Sequence, residues 1–515
     1  MGTRYLTILE VSQKQAYIFA SNRLQDNIIN SAVIAWVMSP KYFEQKIKGE
    51  GLFSSEDNLV YSGGGHTVLE FSTMEQARQF SRIITAAIRK EYPGIEVFVK
   101  TVEYDGNKTA GENLKELTAA LERKKALREA AFHQGSFGVE KIDSTTLTPM
   151  ASDKQEQEGK MPEEERVIDD MLSAKEYGYE KCLEFKELGG SKGKSNFIAV
   201  VHIDGNAMGK RVEKLYQKNR DASWDDYKRK LRQFSDAIDS DFKAAYKEMV
   251  QTVAKNLSEG RLAELNRSGK KFPVRRIITA GDDICFVSEG RIGVECAVAF
   301  IRALNRKINA EDKEGYAACA GVAIVHQKYP FYRAYELAEQ LCSNAKKFGV
   351  AIDRNLGSEV SSVDWHIEYG EMKDSLEEIR EGYTTAEGNR LELRPYIVTA
   401  PEEVSAKEPY RQYDKFRALM KKLQSKELAY SRGRLKELRT VLKQGETATN
   451  HYIRFHKLEE LTKDSYQGIY TEVDISGIGM GKQLESKVFL EMRNGKRAIL
   501  FDVIELLDTF LELDE

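Results

Sequence analysis

The sequence predicts an α+β fold in which a ferredoxin-like βαββαβ unit occurs twice, joined by a helical linker region and followed by a helical C-terminal domain. Three observations predict it. The order strand, helix, hairpin, helix, strand appears twice in the 515 residues. Apolar spacing switches between period two and period 3.6 in step with that order. Beyond about residue 366 long amphipathic stretches dominate.

The first unit, 1–105, runs "YLTILEVS", "SNRLQDNIINSAVIAWVM", "NLVYSGGGHTVLEFS", "MEQARQFSRIITAAIRK" and "IEVFVKTVEY". "TVLEF" and "VFVKTVEY" carry the β-branched and aromatic residues of strands, whereas Ala77, Phe80, Ile83, Ile84 and Ala87 recur at helical spacing. Residues 106–194 are polar and mostly helical, and "SDKQEQEGKMPEEER" within them is expected to be solvated. The second unit, 195–365, repeats the order with "FIAVVHIDG", a long helical region, "RRIITAGDDICFVSE", "GVECAVAFIRALNRKI" and "YAACAGVAIVHQ". "PFYRAYELAEQLCSNAKKFG" follows as a helix opened by Pro330 and closed by Gly349. From 366 to 515, "YDKFRALMKKLQSKELA", "GRLKELRTVLKQ" and "AILFDVIELLDTFLEL" predict helices, and the Gly-rich "GIGMGK" lacks P-loop spacing and reads as a loop.

Composition narrows the function classes. Hydrophobic residues at 41% beside 31% charged, with no signal peptide and no membrane-length apolar run, predict a soluble cytoplasmic protein. Five scattered cysteines without a C-x-x-C pair argue against a disulfide framework or a thiolate zinc site. A net charge of -3 leaves nucleic-acid contact to local patches.

The chemistry concentrates in the second unit. "GDD" alone reads as a type I′ hairpin turn with solvated aspartates. Asp204, however, ends the apolar strand "IAVVHI", and in this topology that strand end lies beside the hairpin tip carrying Asp282 and Asp283. Three converging carboxylates repel one another, and Mg²⁺ or Mn²⁺ relieves the repulsion through oxygen ligands. Two such ions suit in-line nucleotidyl transfer, where they orient a 3′-hydroxyl and neutralise a triphosphate. "DGNAMGK" turns sharply after the strand and offers backbone N–H groups to phosphates, with Lys210 as a cation. In the first unit "SGGGH" takes the place of "AGDD", so Gly65 and His66 stand where the aspartates are.

"HIDGNAMGK", "TAGDDICFV", "AGVAIVHQKYPFYRAYELAEQLCSNAKK", "LRPYIV" and the "YSGGGHTVLEF" hairpin resemble, in order, the large subunit of type III CRISPR effector complexes, the Cas-ten family. The resemblance implies two palm, or nucleotide-cyclase-like, domains that form a face-to-face pair within one chain. It also implies synthesis of cyclic oligoadenylates from ATP in antiviral defence. It assigns Asp204, Asp282 and Asp283 as metal-binding catalytic carboxylates, Gly281 as the glycine that admits substrate, and Lys346 as the lysine directed at the triphosphate. Gly205, Asn206, Gly209 and Lys210 are implied in nucleotide binding, and guide RNA, target RNA and other complex subunits as partners. His326 is read as structural.

The sequence departs from the family in three ways. Ala280 replaces the first glycine of "GGDD", a change tolerated unless its backbone needs positive φ. The chain starts at the first palm and has seven histidines, so no histidine-aspartate nuclease is expected. Residues 106–194 contain Cys182 alone, so no zinc module is expected there. The enzyme reading stands beside a non-catalytic scaffold subunit of a ribonucleoprotein. A diguanylate-cyclase-like dimer is disfavoured by the tandem units.

Overall fold

The structure is a computed structural model that describes residues 3–47, 51–127, 161–188, 196–265, 270–370, 373, 375–425, 432–458, 470–474, 482–486, 488–492 and 495–514. Residues 152–160 of the charged linker stretch and 477–481 of the Gly-rich stretch lie outside the described residues.

Each βαββαβ unit forms one sheet. In the first, β1 (Tyr5–Ser12), β2 (Leu59–Gly63), β3 (His66–Phe71) and β4 (Glu96–Glu103) order as β2-β3-β1-β4, all antiparallel. Helices α1 (Lys14–Ile18), α2 (Leu24–Val37) and α3 (Met74–Glu91) connect them. α3 starts at a capping box between Thr73 and Gln76 and buries Ala77, Phe80, Ile84 and Ile88, the i, i+3, i+7, i+11 stripe of an amphipathic helix. The linker region contains α4 (Ala110–Ala126) and α5 (Glu163–Met171).

The second unit repeats the order as β6-β7-β5-β8, with β5 (Phe197–Gly205), β6 (Val274–Ala280), β7 (Asp283–Glu289) and β8 (Ala318–His326). α6 (Met208–Lys218) and α7 (Trp224–Ser258) fill the first crossover and α8 (Gly293–Asn305) the second. After β8 come α9 (Phe331–Ile352) and a parallel strand β9 (Ser361–Ile367), then β10 (Tyr396–Thr399) antiparallel to it. The sheet therefore has six strands and crosses the boundary expected at 365, which falls inside β9. β10, four residues of which three fall within "LRPYIV", is too short for a period-two signal to show.

Strand alternation decides what each face of β5 touches. Ala199, Val201 and Ile203 pack into the core shared with α7 and α8, whereas Ile198 and Val200 belong to the core lined by α9. α9 approaches so closely that a Cβ on Gly321 of β8 would lie 1.9 Å from the Ala338 carbonyl oxygen. α9 also runs three residues past the expected stop at Gly349. That glycine is kept for contact, since a Cβ there would lie 2.6 Å from the Gly357 carbonyl oxygen.

The C-terminal segment departs from an all-helical domain. Beside α10 (Leu376–Glu381), α11 (Tyr413–Gln424), α12 (Arg432–Leu442) and α13 (Glu446–His456) it contains two ribbons, β11 (Tyr470–Asp474) with β12 (Lys482–Ser486) and β13 (Phe489–Met492) with β14 (Gly495–Ala498). "AILFDVIELLDTFLEL" gives only α14 (Phe501–Leu506). Ala498 pairs with Phe489 in the ribbon, and the chain end is held in place where Glu295 accepts from Leu513 N at 2.9 Å and Asn256 from Asp514 N at 2.9 Å. The apolar run is thus a buried tail. No helix among the described residues is long and apolar enough to cross a membrane.

Candidate active site

Antiparallel register brings the predicted carboxylates together. Asp204 stands opposite Asp283, and Gly205 N donates to the Asp282 carbonyl at 3.1 Å. The hairpin closes with the two residues Gly281 and Asp282. Only Gly281 has positive φ, +66°, so the turn follows the II′ pattern rather than the expected I′. In the first unit Gly64 and Gly65 both have positive φ, which makes that hairpin the I′ turn. Ala280 is a strand residue without positive φ, so its replacement of glycine costs the backbone nothing.

Gly205 sits where no side chain fits. A Cβ would lie 2.9 Å from Asp282 Cβ, 2.9 Å from Met208 Cε and 3.1 Å from Phe242 Cζ. Gly205→Ala is expected to lower stability by about 1–3 kcal/mol, checked by urea denaturation. Beside Gly281, by contrast, a Cβ would meet nothing within 4 Å. That side of the hairpin is open.

Lys346 reaches the same place from α9, with Nζ 2.6 Å from Asp204 Oδ2 and donating to the Gly205 carbonyl at 3.1 Å. Gly209 and Lys210 are exposed in the first turn of α6. Asn206 differs from expectation: its amide is buried and donates to the Val360 carbonyl at 2.8 Å, tying the turn to the chain entering β9. His326 pairs with Phe197 at the opposite end of β5, seven residues or about 23 Å from Asp204, as a structural histidine.

The carboxylates carry uncompensated charge. Burial, then the Asp204 charge, pushes Asp282 up to about 6. Burial, then Asp204 and Glu339, pushes Asp283 up to about 7. One oxygen of Asp283, Oδ1, is buried without a hydrogen-bond partner among the described residues and lies 3.5 Å from His202 Nδ1, likewise without one there, and burial lowers the pKa of His202. A divalent cation fits this donor set of three carboxylates and an orphaned oxygen. The cage is not preformed: among the described residues no group of three or more His, Cys, Asp and Glu is set to hold a metal ion. Asp204 is engaged by Lys346 instead.

The raised values fix a sign for pH dependence. Both carboxyls hold their protons more tightly in the folded chain, so their favourable contribution is complete below about pH 4 and fades as pH rises through 6 to 7. Asp283 keeps 43% of its side-chain surface open, so solvent screens part of the effect even though protein surrounds it closely. In EDTA, Asp283→Asn is expected to be more stable than wild type at pH 8 by about 1 kcal/mol and equal to it at pH 4, measured by denaturation at both pH values.

The first unit faces this site across a cleft of about 870 Å³ that touches Gly63–Gly65 on one side and Ala280, Gly281 and Asp283 on the other. Its own arrangement is parallel to the second. Glu10 stands opposite His66 as Asp204 stands opposite Asp283, and Lys125, from the helix after β4, lies 2.7 Å from Glu10 as Lys346 does from Asp204. Lys14 hydrogen-bonds the Gly64 carbonyl, and its charge is felt by Asp283. Gln15 donates to Glu339 of α9 at 2.9 Å. Glu10, Lys14 and Lys125 of the first unit thus line the same cleft as Asp283 of the second. A second hollow of about 580 Å³ on the other side of the hairpins is lined by apolar side chains such as Met208, Val212 and Tyr227, with Asp282 at its edge.

Sequence reasoning missed Glu10, Lys14, Lys125 and His202. The signal for Glu10 was its place near the end of the first strand, as Asp204 ends the fifth; the lysines have no local signal.

Residues 197–355 match the family model for Cas10/Cmr2, second palm domain. A search of curated proteins gives no match. Among solved structures, the chain is similar to the Csm1–Csm4 cassette in complex with pppApApA (TM-score 0.58, 13% identity, 99% of this chain and 70% of that one). It is similar also to that cassette with cA3 (0.56, 14%, 99% and 70%) and to the Csm1–Csm4 subcomplex in the type III-A CRISPR-Csm interference complex (0.56, 14%, 99% and 70%). At such identities the likeness is one of fold.

Proposed function

We propose, from the premise that residues 197–355 are the second palm domain of a Cas10/Cmr2 family chain, that this protein joins ATP into a cyclic or linear oligoadenylate messenger in CRISPR-type defence. The observation that carries the reading is the register of β5 on β7, which brings Asp204, Asp282 and Asp283 to one sheet end, with Asp283 lining the cleft. The ligands of the Csm1–Csm4 cassettes, cA3 and pppApApA, support adenine nucleotides as substrate.

In this reading Asp204, Asp282 and Asp283 would hold Mg²⁺ or Mn²⁺, which would supply charge neutralisation at the triphosphate and at the attacking 3′ oxygen. Lys346 passes from Asp204 to a phosphate oxygen. The open side of Gly281 lets the α-phosphate approach the hairpin without a side chain between. The Lys14 and Lys125 wall attracts the polyphosphate of the second nucleotide. Phosphoryl transfer needs no protein nucleophile, so positioning and charge carry the rate. Guide RNA, target RNA and further subunits are the partners this function calls for.

The scaffold reading retains one specific support, the Lys346–Asp204 pair that closes the carboxylate set. One experiment separates the two. Purified protein is mixed with Mg²⁺ or Mn²⁺ and each nucleoside triphosphate, with and without RNA, and products are identified by mass spectrometry. ATP-derived oligomers support the enzyme; absence of product under every condition leaves the scaffold.

A further inference from the structure

On the side of α9 away from Lys346 lies a cavity of about 490 Å³. Asn344, Lys347, Phe348 and Ala351 of α9 line it at the i, i+3, i+4, i+7 spacing of one helix face. Arginines from four further segments close on it. Most are neutralised from behind. Arg380 donates to Asp364 at 2.7 Å, Arg394 to Asp502 at 3.0 Å, and Arg390 to Glu392 at 2.6 Å, while Arg497 donates to the Glu392 carbonyl at 2.7 Å.

Arg411 is the exception. It is 6% exposed, its guanidinium lies 4.7 Å over the Phe348 ring, and its Nε is buried without a hydrogen-bond partner among the described residues. Glu408 Oε2 is 3.7 Å from that Nε, beyond hydrogen-bond reach, and is itself unpartnered. Burial, then the Arg497 charge, lowers Arg411 to about 10. A buried guanidinium stacked on a ring and lacking its hydrogen bonds is costly unless something accepts them. Lys347 stands exposed at the mouth, beside Glu377 and Glu381.

We infer that this cavity binds a phosphate-bearing anion, with Arg411 as principal donor and Lys347 at its entrance. A planar guanidinium fits phosphate oxygens in pairs, and an anion there would satisfy the donors that Glu408 does not reach. The site is separate from the carboxylate cleft and independent of the activity proposed there.

The test is calorimetric titration of the full chain with inorganic pyrophosphate in EDTA, and with ATP in the same buffer. Pyrophosphate is expected to bind wild type, and to bind Arg411→Gln at least tenfold more weakly and Lys347→Gln about threefold more weakly. Competition by ATP identifies a nucleotide-borne phosphate as the ligand; failure to compete identifies free phosphate or pyrophosphate. Far-UV circular dichroism checks that Arg411→Gln folds, and Lys347→Gln, on an exposed residue, carries the test where it does not. Absence of binding to wild type overturns the proposal. So does affinity that neither Arg411→Gln nor Lys347→Gln alters.

Discussion

Asp282→Ala combined with Asp283→Ala is expected to remove oligonucleotide synthesis, by at least about 10³-fold, while leaving the far-UV spectrum unchanged. The turn does not depend on the two side chains: although the Asp282 carboxylate accepts from its own backbone N–H, Gly281 supplies the positive φ and β6 pairs with β7 through main-chain groups. Nor do they act as one group. Each is pushed up more by Asp204 than by its neighbour, because Asp204 sits across the sheet between them. Removing both therefore discharges the site, and the double variant should be no less stable than wild type at pH 8. Initial rates with ATP and Mn²⁺, beside a denaturation curve, check both halves.

The second large effect concerns "LRPYIV". Arg394→Met is expected to destabilise the chain by about 3–5 kcal/mol, because it leaves Asp502 charged and buried without a cation and Glu505 with only Arg439, 3.4 Å away. Arg394 has no exposed side-chain surface and pairs with Asp502 at 3.0 Å and with Glu505, both equally buried. Its guanidinium lies 5.4 Å over Trp365 and 5.5 Å over Tyr383. Asp502 also accepts from the backbone N–H groups of Leu393 at 2.9 Å and Arg394 at 2.8 Å. The motif thus ties β9 and β10 to α14. Urea denaturation measures the loss. Adding Asp502→Asn and Glu505→Gln should restore part of it, which distinguishes stranded charge from lost packing.

What the sequence disclosed followed from how local each signal was. Both sheets were legible because their strands are rich in β-branched and aromatic residues and their hairpins carry glycines, and Asp204 could be matched to Asp283 because topology alone puts those strand ends together. Lys346 needed the resemblance, since nothing about a helical lysine says which residue it meets. Lys14 and Lys125 were invisible for a related reason. Their meaning arises from the first unit facing the second, a tertiary relation no short window contains. The apolar run 498–513 misled because burial on all sides looks the same for a tail as for a core helix. The tie from the Asn206 amide to the Val360 carbonyl was not legible, because it spans 154 residues.

The central claim is that this chain makes phosphodiester bonds at the sheet end holding Asp204, Asp282 and Asp283. Its most direct test is ³¹P NMR of wild-type protein with ATP and Mg²⁺. The account predicts a new phosphodiester resonance growing with released pyrophosphate, and neither signal when Asp204→Asn replaces wild type. Equal signals from wild type and Asp204→Asn, or none from wild type with RNA present or absent, would contradict it.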